Sequence, residues 1–103
     1  MRLKMAYLMV YFGLGYRGEY MKILKQPIEL DAEYLTFPLN SKQEWVNEAL
    51  LEEKLWFAEG NWYLDTQSGV KQGEVGDVLI KEIDGELNIR NKELFKKMYI
   101  IME

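Results

Sequence analysis

Apolar and polar residues alternate most sharply toward the end of the chain. Over residues 78–83 (VLIKEI) and 86–90 (ELNIR), two β-prone runs flank Asp84-Gly85. Asp-Gly in that setting predicts a hairpin on a type I′ turn, which needs positive φ at both central residues. In that register Ile83 faces Glu86, Lys81 faces Asn88, Ile80 faces Ile89 and Val78 faces Asn91. One face then carries Val78, Ile80, Leu87 and Ile89, and the other Leu79, Lys81, Ile83, Glu86, Asn88 and Arg90. That is the pattern of an antiparallel sheet packed on one side. A slip of one residue would turn Lys81 and Arg90 toward the core. Ahead of the hairpin, Glu74-Val75-Gly76-Asp77 fits a type II turn, with glycine where φ must be positive. Behind it, Asn91 is placed to cap a short helix over about 92–98 that carries Leu94, Phe95 and Met98. Residues 99–102 (YIIM) are apolar and β-prone, and are expected to re-enter the sheet.

Earlier in the chain the period changes twice. Residues 22–37 read as extended: Ile28, Leu30, Ala32 and Tyr34 alternate with Glu29, Asp31 and Glu33 after Pro27. Pro38 ends that run. Ser41-Lys42-Gln43-Glu44 then has the form of a capping box for a helix over about 41–54, whose apolar side is Trp45, Val46, Ala49 and Leu50. Residues 55–66 (LWFAEGNWYLDT) hold two aromatic-rich strands around a turn at Glu59-Gly60-Asn61. Gln67-Ser68-Gly69 turns the chain into a short strand at 70–72. The predicted fold class is α+β: a small antiparallel sheet, the helix of 41–54 packed on it, and the short C-terminal helix at an edge.

Residues 1–20 differ from the rest. Residues 5–12 form an uninterrupted apolar run, far short of the roughly 20 residues of a membrane-spanning helix. Arg17-Gly18-Glu19 can be encoded as AGG-GGN-GAR, a purine-rich run like a bacterial ribosome-binding site just ahead of Met21. Residues 1–20 are therefore read first as an upstream leader, second as an apolar N-terminal strand and third as a secretory signal, with 21–103 as the α+β domain.

Composition narrows the chemistry. The chain has 103 residues, no His and no Cys, which removes disulfides, cysteine-rich zinc sites, His acid–base chemistry and the Ser-His and Cys-His nucleophiles. A net charge of −4 argues against a broad phosphate-binding surface. Starting at Met21 would take it to −6, because Arg2, Lys4, Arg17 and Glu19 go with the leader. The remaining candidates for catalysis are the carboxylates Glu29/Asp31/Glu33 and Asp77/Glu82/Asp84, each with a simpler reading as a solvated face or a turn residue. Calcium needs six to eight converging oxygens and an EF-hand-like spacing, which this chain lacks. No metal, no cofactor and no catalytic residue is expected. Trp56, Phe57 and Trp62, beside Glu59 and Asp65, are the candidate anchors of a protein-binding surface, although core and sheet packing is the stronger explanation in so small a domain.

Several segments resemble a family of small bacteriophage and prophage proteins. Lys25-Gln26-Pro27-Ile28-Glu29-Leu30-Asp31-Ala32 is similar to its opening, and Tyr63-Leu64-Asp65-Thr66 with Gly69 to its central segment. Gly76-Asp77-Val78-Leu79-Ile80-Lys81, Gly85-Glu86, Leu94-Phe95 and Tyr99 are similar to its C-terminal landmarks. Val75 stands where the family has Pro, Val78 where it has Trp, and residues 88–92 replace a Cys-containing run. The resemblance implies fold and phage origin and carries no catalytic residue. The functional expectation is a non-enzymatic accessory protein in the bacterial cytoplasm that binds a host or phage protein. An acidic nucleic-acid mimic comes second and a carboxylate-only hydrolase last. No membrane or direct nucleic-acid contact is expected, and self-association is left open.

Overall fold

The computed structural model describes residues 1–5, 9–13, 20–24 and 28–102. Ten strands and two helices follow in the order β1 (Arg2–Met5), β2 (Met9–Gly13), β3 (Tyr20–Leu24), β4 (Glu29–Tyr34), α1 (Glu44–Leu51), β5 (Leu55–Ala58), β6 (Asn61–Thr66), β7 (Gly69–Glu74), β8 (Val78–Lys81), β9 (Leu87–Arg90), α2 (Lys92–Met98) and β10 (Tyr99–Ile101). The α+β class expected from the pattern is the class observed. A five-stranded sheet has the order β10-β1-β4-β8-β9, a three-stranded meander the order β5-β6-β7, and β2 and β3 pair with each other. All ladders are antiparallel. Lys4 opposes Glu29 in the β1–β4 ladder and Met9 opposes Leu24 in the β2–β3 ladder, so the two ladders have the same offset between partner residues.

Strand β8 explains the layering. Val78, Leu79 and Ile80 are all fully buried, which requires cover on both faces of the sheet. Val78 and Ile80 pack with Leu3, Leu30, Ala32, Phe95 and Tyr99. Leu79, on the opposite face, packs with Leu35, Val46, Ala49, Leu55, Trp62 and Leu64. Helix α2 therefore covers one face of the five-stranded sheet through Phe95, and does not sit at its edge as the sequence pattern implied. Helix α1 and the meander cover the other.

The second covered face changes the hairpin register. Lys81 pairs with Leu87, Ile80 with Asn88, Leu79 with Ile89 and Val78 with Arg90, one residue from the expected pairing. The loop has three residues, with Glu82 N–H donating to Glu86 O (2.8 Å) and Gly85 N–H to Glu82 O (2.9 Å). Gly85 alone has positive φ (+89°), and the Asp84 carboxylate accepts from Glu86 N–H at 3.0 Å. This is a type I turn closed by a left-handed glycine, not a type I′ turn. The shift moves Leu87 and Ile89 to the face of Leu79, where both pack on the α1-side core. Arg90 moves to the α2 side and lies 3.7 Å from Glu82.

Helix α1 is shorter than the 41–54 expected. Its N-cap is Gln43, with no side-chain capping bond, and the Ser41 hydroxyl accepts from Gln43 N–H (3.0 Å) instead of from Glu44. Gln43 has another task. Its side-chain amide donates to Ala32 O (2.7 Å) and its carbonyl accepts from the Trp45 indole (3.0 Å). Ala32 N–H bonds to Met1 O, while the Ala32 carbonyl is satisfied by the Gln43 side chain. At the other end Glu53 adopts φ +59° while Lys54 N–H reaches Ala49 O (2.9 Å) and Glu53 N–H reaches Leu50 O (3.2 Å). That Schellman closure stops the helix before Lys54.

The division at Met21 does not follow a boundary of this fold. Strand β1 lies between β4 and β10, and Leu3 is fully buried. A chain starting at Met21 should therefore lose cooperative unfolding, because β4 and β10 lose their shared neighbour and the α2-side core loses Leu3. Thermal melting followed by circular dichroism checks this; a sharp, undiminished transition would mean that β1 is dispensable.

Candidate functional site

The three aromatic anchors separate by strand parity. Phe57 opposes Trp62 and Trp56 opposes Tyr63 across the β5–β6 ladder, so Trp56 points away from the other two. Trp62 is 3% exposed, belongs to the α1-side core and donates its indole N–H to Thr36 O at 3.2 Å. It is a core residue and not a partner anchor, which corrects that expectation. Phe57 is half-buried against the same core, edge-on to Trp62 (5.2 Å, 65°) and stacked on the exposed Phe37 (4.0 Å, 14°). Trp56 is half-buried on the outer face of the meander and stacks on Tyr63 at 5.7 Å. Of the three, only Trp56 stays outside the core clusters.

The turn residues hold the fold. Gly76 has φ +101° and donates its N–H to Leu35 O (2.8 Å), while Leu35 N–H donates to Asp77 O (2.9 Å). Two residues thus oppose one, a bulge opened by a left-handed glycine at the entry to β8. Asp77 is 5% exposed. One of its oxygens accepts from Glu74 N–H (2.8 Å) and the other from Lys92 N–H (3.1 Å), the first residue of α2. Asn91 adds the expected cap, accepting from Glu93 N–H at 2.8 Å. Asp77 is therefore a structural carboxylate joining the β7–β8 turn to the start of α2.

The other carboxylates do not converge. Glu29 lies 3.9 Å from Arg2, Glu33 3.4 Å from the Gln43 amide, and Glu82 beside Arg90. Asp31 stands opposite Arg2 on one side and Lys81 on the other. Among the described residues no three His, Cys, Asp or Glu side chains gather as metal ligands, and no helix is long and apolar enough to cross a membrane. A shallow depression between β7, β9 and α2 is lined by Gln72, Glu74, Asp77, Ile89, Arg90 and Leu94. Its one buried acid, Asp77, is occupied by the two main-chain amides.

Two features escaped the pattern. Gly73 is buried in β7, and a Cβ there would stand 2.7 Å from Ile89 Cγ2, so the meander approaches β9 through glycine. A glycine inside a strand is the available signal for such contact, but the expected strand ended at residue 72. The second is a set of exposed apolar side chains at the C-terminal end. Helix α2 buries only Phe95, leaving Leu94 53% and Met98 37% exposed, and β10 leaves Ile100 54% and Ile101 45% exposed.

Trp62→Ala should cost about 3–5 kcal/mol, as for a large aromatic removed from a core. Trp56→Ala should cost only about 1 kcal/mol, from the lost stack and partial burial. Asp77→Ala should cost about 2–4 kcal/mol, since two amides lose a charged acceptor and one belongs to a helix start. Urea titrations give all three; equal losses for the two tryptophans would contradict the parity of β5. Compared with protein families, characterised proteins and solved structures, the chain matches none.

Proposed function

We propose that this is a non-catalytic binding protein, an accessory factor of a bacteriophage or prophage that engages a host or phage protein in the bacterial cytoplasm. The observation that carries the binding reading is the exposed apolar surface of Leu94, Met98 and Ile101 on the α2 side of the sheet. Apolar patches rimmed by polar residues are where proteins meet. The chain's chemistry supports the same reading: it has neither His nor Cys, and its buried carboxylate is held by main-chain amides. The phage setting rests on the resemblance of residues 25–99 to the small phage and prophage family.

Helix α1 favours a second reading. Glu44, Glu48 and Glu52 are exposed at successive turns, an acidic ridge of the kind that could occupy a basic groove. An acidic mimic would lose its partner on conversion of these residues to Lys and would be displaced by duplex DNA.

The test is capture from a bacterial lysate by the tagged full chain, quantified by mass spectrometry. A triple Leu94→Glu, Met98→Glu, Ile101→Glu variant with native circular dichroism should lose the partner that the parent retains. Retention by the triple variant would move the surface elsewhere. A metal- or nucleotide-dependent turnover abolished by Glu82→Gln would overturn the non-catalytic reading.

A further inference from the structure

We infer that the outer edge of β10 receives an extended, acidic segment of the partner protein as an added strand, an inference that rests on the binding reading above. Strand β10 is at the end of the five-stranded sheet and pairs only with β1 among the described residues. Met102 N–H donates to Arg2 O, which fixes the alternation: the main-chain groups of Ile100 and Met102 face β1. Those of Tyr99 and Ile101 face outward. The Tyr99 N–H is used by Phe95 O at the end of α2, so the open edge presents the Tyr99 carbonyl and both the N–H and the carbonyl of Ile101.

Sheets ordinarily blunt such an edge with charge, proline, bulges or a covering element. The other edges of the five-stranded sheet and of the meander have these protections. Strand β9 lies under the meander, with Lys71 bonded to Asn88 at 2.7 Å and Gly73 against Ile89. Strand β7 carries Lys71 and two glycines, and β5 runs beside α1. Strand β10 is Tyr-Ile-Ile, with Ile100 and Ile101 exposed on opposite faces.

Charge decides between occupants. Residues 90–102 hold four basic side chains and one acid within a chain of net charge −4. Lys96 and Lys97 are exposed on the last turn of α2, and Lys4 stands opposite Ile100 on β1. None of these three lysines is in an ion pair among the described residues. A second copy pairing β10 with β10 about a two-fold axis would set these lysines against their own counterparts. A phosphate or nucleic-acid backbone would offer no donor to the two outward carbonyls. A peptide strand supplies donors and acceptors in alternation, and carboxylates on it meet the lysines.

The probe is a fluorescein-labelled peptide of about eight residues alternating Val and Glu, a typical strand length. Comparators are the Val/Lys peptide and a Val/Glu peptide N-methylated at alternate amides. Anisotropy with the full chain should show saturable binding of the Val/Glu peptide, weakened at least about tenfold by Val/Lys exchange or by N-methylation of the set of amides facing β10. Ile101→Pro removes an outward N–H and no β1 bond, and should weaken binding comparably, as should Lys96→Glu with Lys97→Glu. Absence of saturable binding, equal affinity for the Val/Lys peptide, or indifference to N-methylation overturns the inference. So does sedimentation showing a dimer that Ile101→Pro dissolves, which would make the occupant a second copy. A lysate partner captured equally by the parent, Ile101→Pro and the double lysine variant sinks strand addition while leaving non-catalytic binding intact.

Discussion

The burial of β8 on both faces is the constraint from which the rest of the arrangement follows. Three consecutive apolar residues, Val78, Leu79 and Ile80, lose all contact with water. Each such side chain stabilises the fold by about 1.5–3 kcal/mol relative to exposure, provided that something covers it. A sheet covered on one side would waste Leu79. The meander and α1 must therefore take one face and α2 the other, and β9 must pair so that Leu87 and Ile89 extend the α1-side core. The glycine-closed three-residue loop supplies that register. Gly73 lets the meander come close enough to meet β9.

Double-sided cover needs the chain to change layers at each end of β8, and Asp77 fixes the first change. Three elements meet at this residue: Leu35 just after β4 by main-chain bonding, Glu74 at the end of β7, and Lys92 at the start of α2. An apolar side chain there would leave both amides without an acceptor at a buried corner. The bulge at Gly76 turns the carboxylate inward and lets the ladder resume at Val78. An acid that looks from sequence like a candidate for chemistry is thus fully occupied with holding two layers to one strand.

What could be read from sequence was local. The Asp84-Gly85 loop, the Asn91 cap, the aromatic hairpin around Gly60 and the central helix follow from short-range turn chemistry and period, and each is present. What could not be read depends on neighbours distant in sequence. The register of β8 and β9 is decided by what covers Leu79. The N-cap of α1 is decided by the need to satisfy Ala32 O, so Gln43 displaces the Ser41–Glu44 box. Strand β1 falls within the stretch read first as a leader, a reading that rests on how Arg17-Gly18-Glu19 can be encoded and takes no account of pairing. Its place between β4 and β10 comes from a pairing with residues near the far end of the chain. The aromatic cluster was visible, but strand parity, which sends Trp62 inward and Trp56 outward, acts only once β5 and β6 have paired.

The exposed surface follows from the same geometry. A helix of seven residues laid over Val78 and Ile80 presents about two turns to the sheet, and Phe95 fills that contact. Leu94 and Met98, one turn apart, fall together to one side of the line of contact and stay in water, and Ile100 and Ile101 on the short strand that follows are exposed as well. Lys92, Lys96 and Lys97 share the helix and keep the apolar residues within a charged rim. Residues that stabilise the fold, such as Trp62, Asp77 and Leu79, are therefore distinct from those available to a partner. Substitutions at these exposed positions cost little stability, so the proposed binding surface can be tested separately from the fold.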